Sequence, residues 1–206
     1  MNRQGIIERV KIVLDEFTPV NEGVIHPIDA YIDPVLDDSV RVLFKEFPVD
    51  KLWQTAVGPQ DLSGPSRIIA EDNRITVVLD ETMVRVASVK LSDWTRMVHE
   101  REFKTTDAPE VAWQGSESTR ATPWRPLVVK HQQKTASGSA PTIDCYGTIA
   151  GTVVEQLNVV QLCEPEEVKE DLLTPLTYLT ASMVALHLER QDIYKAIYEQ
   201  YQKHLQ

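Results

Sequence analysis

The chain has 206 residues and a mass of 23.4 kDa, with 42% hydrophobic and 25% charged side chains. That balance excludes wholesale disorder and fibrous repeats, and it suits one domain with an insertion, or two small modules on a shared helical base. With 31 acids against 21 bases the formal charge is -10, which excludes gripping nucleic acid by neutralising its phosphates, since that needs a clustered excess of Lys and Arg.

The start, Met1-Asn2-Arg3-Gln4-Gly5, leads into an amphipathic segment rather than an apolar signal core. No stretch approaches ~20 uninterrupted apolar residues, so neither secretion by that route nor a membrane span is expected. A first helix is predicted from Asn2, a fair N-cap, to Phe17, with Ile6, Val10, Val13, Leu14 and Phe17 on one face and Arg9, Lys11, Asp15 and Glu16 on the other. Thr18-Pro19-Val20-Asn21-Glu22-Gly23 breaks it. A second helix follows through Ile28, Ile32, Val35, Leu36, Leu43 and Phe44 to Phe47. Pro34 falls inside that pattern, so Asp33-Pro34 marks either a kink or a cap and first turn that restart the helix. A short helix is expected from Val49 to Trp53, after Pro48.

Turn formers from Gly58 to Gly64 mark the crossing into an inserted module. Strand-like runs then come in series: Arg74 to Leu79, Val84 to Leu91, Trp94 to Glu100, Leu127 to Gln132, Thr142 to Gly147 and Val154 to Leu162. Their alternation is weak, but β-branched enrichment supports them. Two loops lie between: Trp113 to Pro126, with two tryptophans and two arginines, and Gln133 to Pro141, whose Ser/Gly/Ala composition predicts a mobile tip.

The closing helix is predicted to start at Glu164-Pro165-Glu166-Glu167, with proline in the first turn and acids at the positive end of the dipole. Its stripe is Val168, Leu172, Leu176, Leu179, Met183 and Leu186; Pro175 is expected to bend it, and Ala181, Ser182 and Ala185 admit a close neighbour. A last helix offers Ile193, Ile197, Tyr201 and Leu205, with Tyr194 and Tyr198 beside them. Such stripes read first as core. The fold expected is therefore α+β: helices of residues 1–57 and 164–206 form one helical domain, and residues 58–163 form an inserted antiparallel β module.

Candidate chemistry is thin. His26, His99, His131, His187 and His204 are scattered, without a second His or Cys at metal-ligand spacing. Cys145 and Cys163 are too few for a disulfide framework or a thiolate metal site and read as reduced thiols. Asp29 with Asp33, and Asp37-Asp38, place carboxylates on a helix, which reads as a solvated acidic face before a cation site. Ser63-Gly64-Pro65-Ser66 and Gly147-Thr148-Ile149-Ala150-Gly151 lack both a nucleophile elbow and the glycine spacing and lysine of a phosphate cradle. No catalytic residue, metal ligand or cofactor is therefore assigned. Trp113, Trp124, Arg120 and Arg125 would suit a sugar or base platform, but anchoring of a protein contact, which Trp and Arg typically supply, or packing under the loop is the favoured reading.

The segment from Asn2 to Glu16, then Ile28-Asp29-Ala30-Tyr31-Ile32-Asp33 with Leu36-Asp37-Asp38-Ser39-Val40, resembles the opening of head-to-tail connector proteins of tailed bacteriophages, the adaptor or neck rings. It is most similar to ring proteins of the crAss-like and podovirus type. The likeness continues in Val84 to Trp94, in the Arg120-Ala121-Thr122-Pro123-Trp124-Arg125-Pro126 turn, and in Leu173 to Leu188 with a short closing helix. It departs from that pattern at Leu79-Asp80-Glu81-Thr82-Met83, where a proline is commoner, and in the composition of Gln133 to Pro141.

The resemblance implies a virion protein of the neck, present in the host cytoplasm during assembly, forming a homo-oligomeric ring, typically of twelve copies. It would dock on the portal protein and meet the tail or further neck rings, with genomic DNA passing through without specific binding and no membrane partner. Interface residues expected on this reading are Ile6, Val10, Phe17, Trp113, Arg120, Trp124, Arg125, Leu176, Met183, Tyr198 and Tyr201. A carbohydrate-binding module using Trp113 and Trp124, and a small hydrolase with a convergent nucleophile and base, are the alternatives.

Overall fold

The computed structural model describes residues 1–18, 28–57, 68–80, 82–135 and 138–206. The fold is α+β, and the chain divides into two compact units: residues 1–48 with 162–206, and residues 49–161. The expected boundary after residue 57 is corrected, because Thr55–Val57 is a strand that pairs with Val154–Gln161 and so belongs to the β unit. The turn-rich stretch from Gly58 to Gly64, Ser63-Gly64-Pro65-Ser66 and His26 lie outside the described residues.

The helical unit contains α1 (Arg3–Phe17), α2 (Asp29–Glu46), α4 (Glu170–His187) and α5 (Gln191–Leu205). The Asn2 side chain accepts a hydrogen bond from the Gly5 amide at 2.9 Å, satisfying one of the donors that a helix start leaves open. Helix α2 runs through Pro34 and α4 through Pro175 without a break. The chain does not enter α4 directly. Pro165–Glu167 form a separate 3₁₀ turn, closed by the Glu167 carboxylate accepting from the Glu164 amide at 3.2 Å, and α4 begins only at Glu170.

Helix α4 packs against α1, α2 and α5 and is buried on nearly every side. Its polar residues are no obstacle. Thr177, Thr180 and Ser182 donate to the carbonyls of Leu173, Leu176 and Leu179 within the helix, so their burial leaves no hydroxyl unsatisfied. With Ala181 and Val184 of α4 itself, Ile7, Val10, Ile32, Val35, Ile193 and Ile197 form an apolar core, each large side chain contributing roughly 1.5–3 kcal/mol on leaving water. Leu186, expected in the stripe, is 49% exposed.

The β unit holds two antiparallel four-stranded sheets among the described residues. Their strands are β1 (Thr55–Val57), β2 (Ile68–Glu71), β3 (Arg74–Val78), β4 (Met83–Leu91), β5 (Val98–His99), β6 (Leu127–Thr135), β7 (Gly138–Tyr146) and β8 (Val154–Gln161). One sheet runs β1-β8-β4-β5 and the other β2-β3-β7-β6. Inward residues of both, including Val77, Val89, Leu91, Val128, Cys145 and Leu157, share one core. A half-buried ion pair of Arg85 on β4 with Glu100, at 3.0 Å from Nε, ties the chain after β5 back to the sheet.

Three strand expectations change. Trp94 to Glu100 is mostly turn: only Val98 and His99 pair, and Trp94 is buried, donating Nε1–H to the Gly147 carbonyl at 3.2 Å. Of the stretch Gln133 to Pro141, expected as a loop, Gln133 to Thr135 and Gly138 to Pro141 are strand, with Thr135 opposite Gly138 and Gln132 opposite Pro141, and residues 136–137 lie outside the described residues. Strand β2 was not anticipated at all; it is made by pairing Ile68 to Glu71 with Val77 to Arg74.

Gly147, at φ +90°, follows β7 where the backbone meets the loop that contains Trp124. A Cβ there would stand 2.7 Å from the Thr122 carbonyl oxygen. Gly147→Ala combines a strained conformation with a clash against rigid backbone, and it is expected to destabilise the chain by about 2 kcal/mol or more. Thermal unfolding followed by circular dichroism reads this; an unchanged melting temperature would mean that the loop is free to retreat.

Candidate functional site

The segment Trp113 to Pro126 is a built structure rather than a slack loop. It opens on the short helix α3 (Pro109–Ala112) and a 3₁₀ turn, Trp113–Gly115. Gln114 pins it from both ends, donating Nε2–H to the Glu110 carbonyl at 2.8 Å and accepting from the Ala121 amide at 2.8 Å. Thr119 Oγ1 donates to the Trp113 carbonyl at 3.0 Å, and the Arg120 amide to the Ser116 carbonyl at 2.9 Å. At its tip Thr122 and Arg125 bond each other through their backbones, at 3.3 and 2.9 Å.

This framework holds two tryptophans out of the core. Trp124 is 78% exposed and Trp113 50%. Arg120 and Arg125 are exposed with them. Ordinarily an exposed indole is tolerated singly; two on one hydrogen-bonded segment, with two arginines, form a surface of the kind that anchors contacts.

Beside Trp113 the β unit opens a cleft of about 460 Å³, bordered by Arg96, Glu102, Lys104, Glu110 and Arg125. Arg96 pairs with Glu102 at 2.7 Å and Lys104 with Glu110 at 3.2 Å. Burial alone would raise the Glu102 carboxyl, but the His99 amide and Arg96 outweigh it and hold it below its ordinary 4.5. Its own amide, then Lys104, lowers Glu110 in the same way.

Because the folded value of Glu102 lies below the unfolded one, its stabilisation is complete above pH 4.5 and is lost as pH falls through the folded value. The melting temperature is therefore expected to drop between about pH 5 and pH 3, and Glu102→Gln should flatten part of that fall. A profile for Glu102→Gln identical to that of the native chain would remove Glu102 from the account.

The remaining expected site residues separate by burial. Ile6, Val10, Leu176 and Tyr201 are 0% exposed and form the interior of the helical unit, a correction to their expected place at an interface. They presented themselves as apolar stripes, and a stripe on a helix does not say whether its own chain or a partner covers it. Tyr201 also donates its hydroxyl to Glu46 at 3.3 Å; burial and then Glu46 push that phenol up. Phe17 and Met183 are half-buried against the same core, with Ser39 Oγ 3.4 Å from the Met183 sulfur. Tyr198 is half-buried, its ring stacked on Tyr194 and tilted against Tyr201.

The acidic face on α2 is clasped from within. Arg3 bonds Asp33 Oδ1 at 2.6 Å and Asp37 Oδ1 at 2.9 Å, so a cation already bridges these two carboxylates. A second polar cluster was not foreseen. Thr76 Oγ1 donates to Asp144 Oδ1, and His131 Nε2 lies 3.2 Å from Asp144 Oδ2. The hydroxyl gives its proton to the carboxylate and the imidazole meets the other oxygen of that same group. The imidazole nitrogen itself makes no hydrogen bond among the described residues, so the base is not placed to activate the hydroxyl, and the Thr76–Asp144 bond ties β3 to β7. Strand spacing alone could not show it, since the three residues meet only across paired strands.

Cys145 is buried and Cys163 half-buried, both as free thiols. Among the described residues no group of His, Cys, Asp and Glu is gathered to hold a metal ion, and no helix is long and apolar enough to cross a membrane. No protein-family model matches the chain, and no curated protein matches it.

Proposed function

We propose that the chain is a structural subunit of the head-to-tail connector of a tailed bacteriophage, forming a ring that docks on the portal and joins capsid to tail. The observation that carries this reading is the exposed, internally braced Trp113 to Pro126 segment on a β unit inserted between terminal helices. Rigid aromatic and arginine anchors cost little ordering entropy on docking, which suits a part whose work is attachment. The likeness of Asn2 to Glu16, Val84 to Trp94 and Leu173 to Leu188 to ring proteins of the crAss-like and podovirus type supports the same assignment.

The charge of -10 fits it as well. A channel wall must let DNA slide, and an acidic surface offers none of the phosphate contacts that would hold the polymer. On this reading the protein performs no reaction, and the Trp124 tip of the exposed loop faces the tail or the next ring of the neck.

Mixing the purified chain with portal-bearing, tail-less capsids and imaging the product by electron microscopy tests the proposal. Added ring density at the portal vertex is the expected result. No density there, together with quenching of tryptophan fluorescence by glycans, would replace the connector with a carbohydrate-binding module.

A further inference from the structure

The cleft beside Trp113 carries three cations against two carboxylates on a chain whose charge is -10. Arg96 and Lys104 are each neutralised by a neighbouring glutamate. Arg125 makes no ion pair among the described residues, and its backbone is held by the tip turn with Thr122. The uncompensated guanidinium therefore sits on a preformed frame next to a half-exposed indole. A guanidinium binds carboxylate through two parallel hydrogen bonds, and an indole face accepts the aliphatic stem of a glutamate.

The opposite patch lies on the same chain. Glu164, Glu166, Glu167, Glu170 and Asp171 crowd one short stretch against Lys169 alone. Among the described residues none of the five makes an ion pair, and all but the half-buried Glu166 are exposed. Buried Pro165 and Val168, with the Glu164–Glu167 cap, hold the segment in place. Its negative potential is felt locally: burial, then Glu167 and Glu164, push the Cys163 thiol up to about 11.

We infer that the Arg125 cleft of one copy receives the acidic segment Glu164 to Asp171 of a second copy of this chain. The inference rests on the ring reading above. Cyclic closure requires a heterologous contact, in which two different patches of one chain meet. Two unlike patches of opposite sign, each uncompensated, meet that requirement. Copies of charge -10 repel at long range, and a local Arg-carboxylate contact would set the register of their approach.

Sedimentation velocity of the full chain, run to roughly 200 μM so that weak contacts register, tests the inference. The native chain is expected to self-associate. Arg125→Glu turns the cleft acidic, and the triple variant Glu166→Lys, Glu170→Lys and Asp171→Lys turns the segment basic, leaving Glu164 and Glu167 against four lysines. Each alone should lose association at least ~10-fold, since like charges then face each other.

Mixed in equal amounts, the two variants should associate again, because each restores the complement of the other. Melting temperatures within a few degrees of the native chain would show that the variants fold, as expected for side chains outside the core. A native chain that stays monomeric, a variant that associates normally, or a mixture that fails to recover would each overturn the socket. The connector reading is judged apart from this: ring density at the portal vertex formed equally well by Arg125→Glu removes the socket and leaves the connector standing.

Discussion

Leu176→Ala is expected to lower the stability of the chain by about 2–5 kcal/mol, the range for truncating a fully buried leucine in a helical core. Leu176 is 0% exposed on α4, the helix that packs against the other three of its unit. Truncation removes apolar contact on α4 and leaves a void that the packed helices cannot close without shifting together. Against a total of about 5–15 kcal/mol, this is a large share. Urea unfolding monitored by circular dichroism measures it. A loss below about 1 kcal/mol would mean that neighbouring side chains collapse into the space. In the particle assay, docking should fall only as far as the unfolded fraction rises, the signature of a core residue.

Trp124→Ala is expected to do the reverse: stability within about 0.5 kcal/mol of the native chain, and docking to the tail side of the neck weakened roughly 30-fold or more, the loss of about 2 kcal/mol that marks an interface anchor. Its indole is 78% exposed, while the hydrogen bonds that shape its turn run through the backbones of Thr122 and Arg125 and survive the change. Trp53→Ala is the control. That side chain is 61% exposed but stands outside the loop, so its removal should leave docking unchanged. Normal tail occupancy on particles carrying Trp124→Ala would remove this loop from the contact and with it the principal support for the connector reading.

Elements whose causes are local could be read from the residues. Helix α1 starts at Asn2 because a side-chain oxygen two residues into the chain meets an amide three residues on, which requires no partner from elsewhere. The β-branched runs of β3, β4 and β8 show themselves likewise, since Val and Ile favour the extended backbone wherever they pair. The tryptophan and arginine loop was also legible as a candidate site, because four such side chains among turn formers are an unusual combination for a connecting segment.

Other features have causes distant in sequence. Strand β2 and the β6-β7 extension exist through pairing: Gln133 to Thr135 and Gly138 to Pro141 have little intrinsic preference, and register with the facing strand makes them sheet. The ion clasp of Arg3 on Asp33 and Asp37, and the Asp144 cluster on β3, β6 and β7, arise from contacts that no local spacing encodes.

The amino-acid sequence by itself determined the α+β class and the terminal helices around a β-rich middle, because propensity, capping and periodicity act over a few residues. Only the tertiary structure decided which apolar stripes are core. Ile6, Val10, Leu176 and Tyr201 share the spacing of an interface helix, and it is the packing of α1, α2, α4 and α5 that takes them out of water.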